Sequence, residues 1–79
     1  MGRGKRKQPK KLAGKLKQIR LDLEWTQEQL ARRLKVDSGA ISRYERGIRE
    51  PSLLELLEYS RIGKVSMEIL VNDKLDLPK

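Results

Sequence analysis

Apolar residues recur along the chain at the spacing of helices that each bury one face. Leu12, Leu16, Ile19 and Leu23 fall at i, i+4, i+7 and i+11, which predicts a first helix from about Lys10 to Leu21. A denser apolar set predicts a seam between two short helices, at about 27–34 and 38–46. It comprises Leu30, Ala31, Leu34, Val36, Ala40, Ile41 and Tyr44. The signals favour helices throughout, so we expect an all-α domain.

Polar residues mark where these helices begin. Thr26 with Gln29, and Ser52 with Glu55, have the spacing of a capping box, and Asp37 is suited to cap the helix at 38–46. Trp25 and Leu30 are spaced for a hydrophobic staple across the first of these caps. Gly47 stands where a helix often ends on a left-handed residue.

Two more helices follow Pro51. The first begins after Ser52 and ends at Gly63-Lys64, and the second runs from Met67 to about Val71 after a Ser66 cap. For the longer one we predict Tyr59 at the edge of the buried stripe and Leu54 exposed. The predicted stripe itself comprises Leu53, Leu56, Leu57, Ser60 and Ile62.

The turn at Lys35-Val36 is too short for the helices on either side to lie antiparallel. We therefore expect them to cross at a steep angle. That geometry presents the second of the two helices, at 38–46, outward.

The net charge of +8 is unevenly distributed. Residues 1–11 carry +6 with no acidic residue, residues 12–49 carry +4, and residues 50–79 carry −2. A polyanion would therefore meet the first part of the chain and avoid the last. The Gly-, Pro- and Lys-rich segment 1–9 is predicted to be a flexible, disordered tail. It is either a basic arm that follows a nucleic acid or a solvated tail, and the arm residues are Arg3, Lys5, Arg6 and Lys7.

Composition argues against several other classes of protein. The chain has no cysteine and no histidine, and 79 residues leave little volume for a pocket. We therefore predict no catalytic activity, no metal and no cofactor. No apolar run approaches the roughly 20 residues of a membrane span, and the N-terminus lacks the apolar region of a secretory signal. We predict a cytoplasmic protein with no membrane partner.

Four segments together resemble the helix-turn-helix of the phage Cro and C1 repressor-type regulators, the XRE family. They are IR at 19–20, WTQEQLARRL at 25–34, ISRYERG at 41–47 and PS at 51–52, and the resemblance extends over about residues 12–70. It implies a compact five-helix, lambda-repressor-like domain at 10–72, with its helix-turn-helix at 27–46. Residues 73–79 would then form a C-terminal tail.

The chain departs from the family pattern at three positions. Lys35 and Glu24 stand where the family usually has glycine, and Gly63 stands where it tends to have an apolar residue. A left-handed backbone at a non-glycine residue costs roughly 1 kcal/mol. Either the turns differ at Lys35 and Glu24 or the chain tolerates this cost.

The resemblance implies that the N-terminal end of the helix at 38–46 enters the major groove of DNA. The residues on its outward face are then the candidates for base contact: Ser38, Gly39, Ser42 and Arg43. Arg43 is the best candidate, because its rigid donor fork suits guanine O6 and N7. A phosphate contact is its alternative role, since up to two-thirds of such hydrogen bonds go to the backbone.

Other residues are predicted to contact phosphates. Gln27 takes this role by resemblance, and its backbone N–H lies at a helix N-terminus, which suits an anion. Lys35, Arg46 and Arg49 are the basic candidates. The ring of Tyr44 is expected to pack in the core, with its hydroxyl within reach of a phosphate.

By resemblance, Arg20 pairs with Glu45 in a partly buried ion pair between the first and third helices. The alternative is a solvated arginine near a phosphate. If the pair forms, its role is structural, and removing one partner would strand a buried charge.

These inferences predict sequence-specific binding to double-stranded DNA by a transcriptional regulator, with repression as the expected outcome. Two alternatives stay open, namely an antitoxin-type module with a protein partner and a nonspecific basic nucleic-acid binder. A homodimer would read two half-sites about one helical turn apart. Leu75 and Leu77 either fold back onto the domain or form a dimer contact.

Overall fold

Five helices make up most of the chain in the computed structural model, which describes residues 9–78. They are α1 (Leu12–Asp22), α2 (Gln27–Leu34), α3 (Ser38–Glu45), α4 (Leu53–Gly63) and α5 (Met67–Val71). No strand occurs within residues 9–78, and the predicted all-α, five-helix fold is confirmed. The predicted basic-arm residues lie outside the described residues: Arg3, Lys5, Arg6 and Lys7.

The last four helices begin at the predicted capping residues. Thr26 and Ser52 each accept from the N–H of the third helical residue, and the side chains of Gln29 and Glu55 reach back to complete both capping boxes. The Asp37 carboxylate accepts from the Ala40 N–H at 2.7 Å. The observed bounds differ from prediction at α1, which spans Leu12–Asp22 rather than Lys10 to Leu21, and at α3, which ends at Glu45 rather than Arg46.

The first four helices end on left-handed residues, of which Gly47 alone is glycine. Glu24, Lys35 and Lys64 have φ values of 60°, 61° and 56°. In each case the left-handed residue and the residue after it donate their N–H groups to carbonyls of the last helical turn, as in a Schellman motif. The chain therefore tolerates the cost of a left-handed backbone at Glu24 and Lys35, non-glycine residues that stand where the family usually has glycine.

The core forms where α1 packs against α3, α4 and α5. Tyr59, predicted at the edge of the α4 stripe, is fully buried, and Leu53, predicted inside, is 72% exposed. Both predictions were wrong, because the buried face of α4 passes through Leu56, Tyr59 and Ser60, which leaves the side chain of Leu53 largely in solvent. Leu54 is exposed, as predicted.

Residues 73–78 pack onto the domain without forming a helix. Leu77 lies against the core, whereas Leu75 stays 37% exposed. Asp73 accepts hydrogen bonds from the N–H groups of Lys10 and Lys11, at 2.8 Å and 2.9 Å, and so joins this segment to the start of α1. Within residues 9–78, no helix is both long enough and apolar enough to cross a membrane.

Candidate nucleic-acid interface

The outer face of α3 carries the four residues predicted to contact bases. Gly39 is exposed, and the side chains of Ser38, Ser42 and Arg43 are partly exposed. On the opposite face of α3, three residues are buried in the core: Ala40, Ile41 and Tyr44. The amphipathic pattern of α3 therefore presents one polar face with a single long basic side chain.

That long side chain lies back along α3. A Cβ placed on Gly39 would stand 3.2 Å from Nη1 of Arg43 and 3.2 Å from Oδ1 of Asp37. The guanidinium of Arg43 therefore occupies space beside Gly39, close to the N-terminal end of α3. In a helix-turn-helix this end of the second helix is the one that faces the bases.

A buried ion pair fixes α3 to the preceding helices. Arg20 Nε donates to Glu45 Oε2 at 2.6 Å and Arg20 Nη2 donates to Glu45 Oε1 at 3.1 Å. The side chains are only 12% and 3% exposed. The hydrogen bond to Glu45 raises the pKa of Arg20 above its ordinary value. The third donor of the guanidinium, Nη1, binds the carbonyl of Trp25 at 2.9 Å, so the pair also holds the connection between α1 and α2.

Gln27, at the start of α2, belongs to the same network. Its Nε2 donates to Glu45 Oε1 at 3.1 Å. One amide hydrogen is therefore engaged, and the amide group has a fixed position relative to α3. The backbone N–H of Gln27 is one of the first four of α2, which have no acceptor inside the helix.

The hydroxyl of Tyr44, predicted to lie within reach of a phosphate, forms a hydrogen bond inside the protein. The ring of Tyr44 is buried, and its hydroxyl donates to Glu55 Oε1 at 2.6 Å. Burial is the larger cause and this hydrogen bond the next largest, and together they raise the pKa of Tyr44 to about 12. Because the single hydroxyl proton is engaged by a carboxylate, Tyr44 has no donor left for a phosphate. Its contact is structural and joins α3 to the first turn of α4.

The basic candidates for phosphate contact lie on exposed backbone around α3. Lys35 occupies the left-handed position between α2 and α3. Arg46 follows the last residue of α3, with its Nε 3.4 Å from the carbonyl of Ser42, and Arg49 lies in the loop before α4. All three residues are exposed, so their charges are accessible to a polyanion.

Lys15 has a structural role that the sequence analysis missed. It is only 5% exposed, and its Nζ donates to the carbonyls of Ile69 and Asn72 at 2.6 Å and 3.0 Å. A signal was present, because Lys15 lies at i+3 from Leu12 and at i−4 from Ile19, on the apolar face of α1. The ammonium caps the C-terminus of α5, where the helix dipole favours a cation.

Comparisons with known proteins agree with the helix-turn-helix arrangement of α2 and α3. A family model described as helix-turn-helix matches residues 16–70. The P22 c2 repressor, in a crystal structure with a synthetic operator, is 27% identical, with a TM-score of 0.72 over 78% of this chain and 94% of that one.

Two further structures extend the comparison. The solution structure of the DNA-binding domain of the P22 c2 repressor is 25% identical, with a TM-score of 0.73 over 92% of this chain and 96% of that one. The restriction-modification controller protein C.AhdI from Aeromonas hydrophila is 26% identical, with a TM-score of 0.64 over 73% and 84%.

A comparison with curated proteins finds no match. The family model nevertheless covers most of the chain, from within α1 to within α5. The chain therefore belongs to the Cro/C1-type (XRE) helix-turn-helix family of sequence-specific DNA-binding transcriptional regulators.

Proposed function

We propose that this protein is a repressor that places α3 in the major groove of duplex DNA and occludes a promoter. The observation that carries the proposal is the polar outer face of α3, with the guanidinium of Arg43 beside Gly39 near the N-terminal end and the ion pair of Arg20 and Glu45 behind it. A P22 c2 repressor of similar fold was crystallised with a synthetic operator. Neither a catalytic activity nor a cofactor is part of the proposal.

Binding is proposed to combine contacts to bases with contacts to phosphates. Arg43 is proposed to read a base, with Ser38 and Ser42 close to the same groove. Lysine and arginine side chains neutralise phosphates and release counterions, which gives affinity that falls with salt. The proposed phosphate contacts are Gln27, Lys35, Arg46 and Arg49, together with the arm residues Arg3, Lys5, Arg6 and Lys7. Tyr44 is left out, because its proton is donated to Glu55.

We propose a homodimer as the DNA-bound form, joined by an apolar face that we call the α4–α5 face. Its apolar residues are Pro51, Leu53, Leu56, Met67 and Val71, which line a depression of about 400 Å³ together with Pro9 and Glu50. Leu53 and Val71 are 72% and 40% exposed there. Since large apolar side chains that cluster on a surface mark interaction sites, this face fits a second copy of the chain.

The position of the α4–α5 face supports this assembly. Its edge at Pro51 follows Arg49 by two positions, so a partner bound there would lie next to the proposed phosphate contacts. Two copies would then present two α3 helices to one duplex. A dimer of this kind reads two half-sites about one helical turn apart. The proposed cellular location is the cytoplasm, on the DNA.

Two substitutions separate base contact from phosphate contact. The duplexes are those that the wild-type protein enriches from a random pool, each then varied one base pair at a time. We expect Arg43→Ala to lose discrimination at one base pair, by about 1–3 kcal/mol, because one donor fork contacts one base. Arg46→Ala should weaken binding evenly across the set of duplexes. It should also reduce the slope of log affinity against log salt by the contribution of about one phosphate contact.

The outcomes test the assignment of Arg43 directly. Even weakening by Arg43→Ala across all base pairs would make it a phosphate contact and would leave α3 without its base-contacting arginine. Equal affinity of the wild-type protein for every duplex would contradict sequence-specific repression and favour the nonspecific binder.

A further inference from the structure

Gly39 and Arg43 lie one helical turn apart on the outer face of α3, so their side-chain positions are neighbours. Side chains on a helix tilt toward its N-terminus, and Arg43 is long enough for its guanidinium to reach back over residue 39. The distances from a Cβ placed on Gly39 are 3.2 Å to Nη1 and 3.6 Å to Nη2 of Arg43. Both terminal nitrogens of the guanidinium therefore lie next to the space that a side chain at residue 39 would occupy.

Asp37 also borders the space beside Gly39. The carboxylate oxygen Oδ1 of Asp37 would stand 3.2 Å from the same Cβ, and this oxygen is held by the Ala40 N–H at 2.7 Å. A methyl group at residue 39 would crowd both neighbours. Because the carboxylate is fixed by the helix cap, the flexible guanidinium is the group that must move.

The charge of Asp37 favours the guanidinium at this end of α3. A helix N-terminus carries a partial positive charge, which disfavours a cation. The Asp37 carboxylate lies at that terminus on the same side as Arg43 and offsets this cost. Arg43 thereby brings a donor fork to the first turn of α3, where Ser38 and Gly39 themselves offer few donors.

We propose that Gly39 is a positioning residue that determines sequence preference through Arg43 and makes no base contact of its own. Arg43 then reads the base pair that a side chain at position 39 would otherwise face. This inference rests on the proposed function, in which Arg43 contacts a base. It changes the role of Gly39 from a contact to a spacer that fixes the direction of the guanidinium.

The test compares base preference in Gly39→Ala, Arg43→Ala and the double variant, on single-base-pair variants of the duplex enriched by the wild-type protein. Gly14→Ala is the matched control, because Gly14 is also an exposed helical glycine and a Cβ there meets nothing within 4 Å. Thermal unfolding of each variant verifies folding, and alanine is a better helix former than glycine at both positions.

We expect Gly39→Ala to lose about tenfold in discrimination at the base pair that Arg43→Ala also affects. This lies within the range of roughly 5- to 160-fold that corresponds to 1–3 kcal/mol for one base contact. The double variant should lose no more than Arg43→Ala alone, because both substitutions remove the same contact. Gly14→Ala should keep the wild-type preference at every base pair.

Three results would overturn the inference: an unchanged preference in Gly39→Ala, a change at a different base pair from that of Arg43→Ala, or losses that add in the double variant. Each of these leaves the proposed function intact, since the wild-type protein still selects a sequence. Failure of the wild-type protein to enrich any sequence would instead reject the proposed function itself, and the inference with it.

Discussion

The carboxylate of Glu45 connects three helices. It accepts two hydrogen bonds from Arg20 on α1 and one from Gln27 on α2, while it lies itself at the end of α3. Family resemblance predicts the pair with Arg20, but no local pattern predicts the third hydrogen bond, which comes from Gln27. The partner of Tyr44 was equally hidden, because Glu55 follows it by eleven residues across a loop. Capping spacing assigned Glu55 to the Ser52 box, and its oxygen Oε1 serves both groups.

Removing the charge of Glu45 should lower the free energy of unfolding far more than breaking an exposed ion pair does. We expect Glu45→Gln to lower the free energy of unfolding by about 3–5 kcal/mol, because the buried guanidinium of Arg20 loses its counter-charge. Arg33→Ala, which breaks the exposed pair with Glu58, should cost at most about 1 kcal/mol. Urea unfolding of both variants measures the difference, and equal losses would contradict a structural role for the buried pair.

At the scale of the helices, the four starts that have a side-chain cap could be predicted, whereas the start of α1, which has none, was predicted two residues early. The ends of α2, α4 and α5 could also be predicted. Ser, Thr and Asp caps are a direct sequence signal, and the structure contains each of the caps predicted from them. The left-handed ends at Glu24, Lys35 and Lys64 lack glycine, the usual signal. The signal that does remain is the apolar residue after each of them, since Trp25, Val36 and Val65 all pack against the core.

The ends of α1 and α5 also stabilise each other. Lys15 on α1 donates to two carbonyls at the end of α5, and Asp73 just beyond α5 accepts from two N–H groups at the start of α1. These N–H groups hold the pKa of Asp73 below its usual range. Such contacts between residues more than fifty positions apart follow from the packing of whole helices, which sequence periodicity does not specify.

Substitution of Lys15 should loosen α5 while the rest of the domain keeps its fold. Lys15→Met retains the apolar stem and removes the ammonium, so two carbonyls lose a charged donor, at a cost of about 1.5–3 kcal/mol. Lys17→Met is the control, because Lys17 is exposed on the same helix. We expect faster amide hydrogen exchange in residues 67–73 of Lys15→Met alone. Equal exchange in both variants would show that Lys15 does not hold α5.

At the scale of the whole molecule, the exposed leucines distinguish two surfaces. Leu53 belongs to the α4–α5 face, whereas Leu54 lies beside Arg33, Lys35 and Glu58 on another side of α4. The sequence left both Leu75 and Leu77 open between folding back and contacting a partner, and the structure separates them, with Leu77 against the core. Periodicity alone does not assign apolar side chains in one helical turn to core or surface, because that depends on how the neighbouring helices pack against the turn.

Adjacent leucines allow a matched test of the proposed dimer. Leu53→Asp and Leu54→Asp place the same charge in the first turn of α4, where the helix dipole tolerates it equally. We expect Leu53→Asp to abolish cooperative occupancy of a duplex with two half-sites, because it puts a charge in the apolar contact, and Leu54→Asp to keep it. The readout is a binding isotherm on that duplex. Independent half-site binding by the wild-type protein, or equal loss in both variants, would contradict dimerisation through the α4–α5 face.

Sequence-specific binding is tested most directly by letting the wild-type protein select duplexes from a randomised DNA pool. The selection is made at about 150 mM salt, where charges are screened beyond about 8 Å. We expect enrichment of two related half-sites about one helical turn apart, each with a guanine that Arg43→Ala no longer selects. Retention of DNA without any enriched sequence would contradict base recognition by α3 and leave nonspecific binding through basic residues. No retention at all would contradict DNA binding and direct attention to a protein partner.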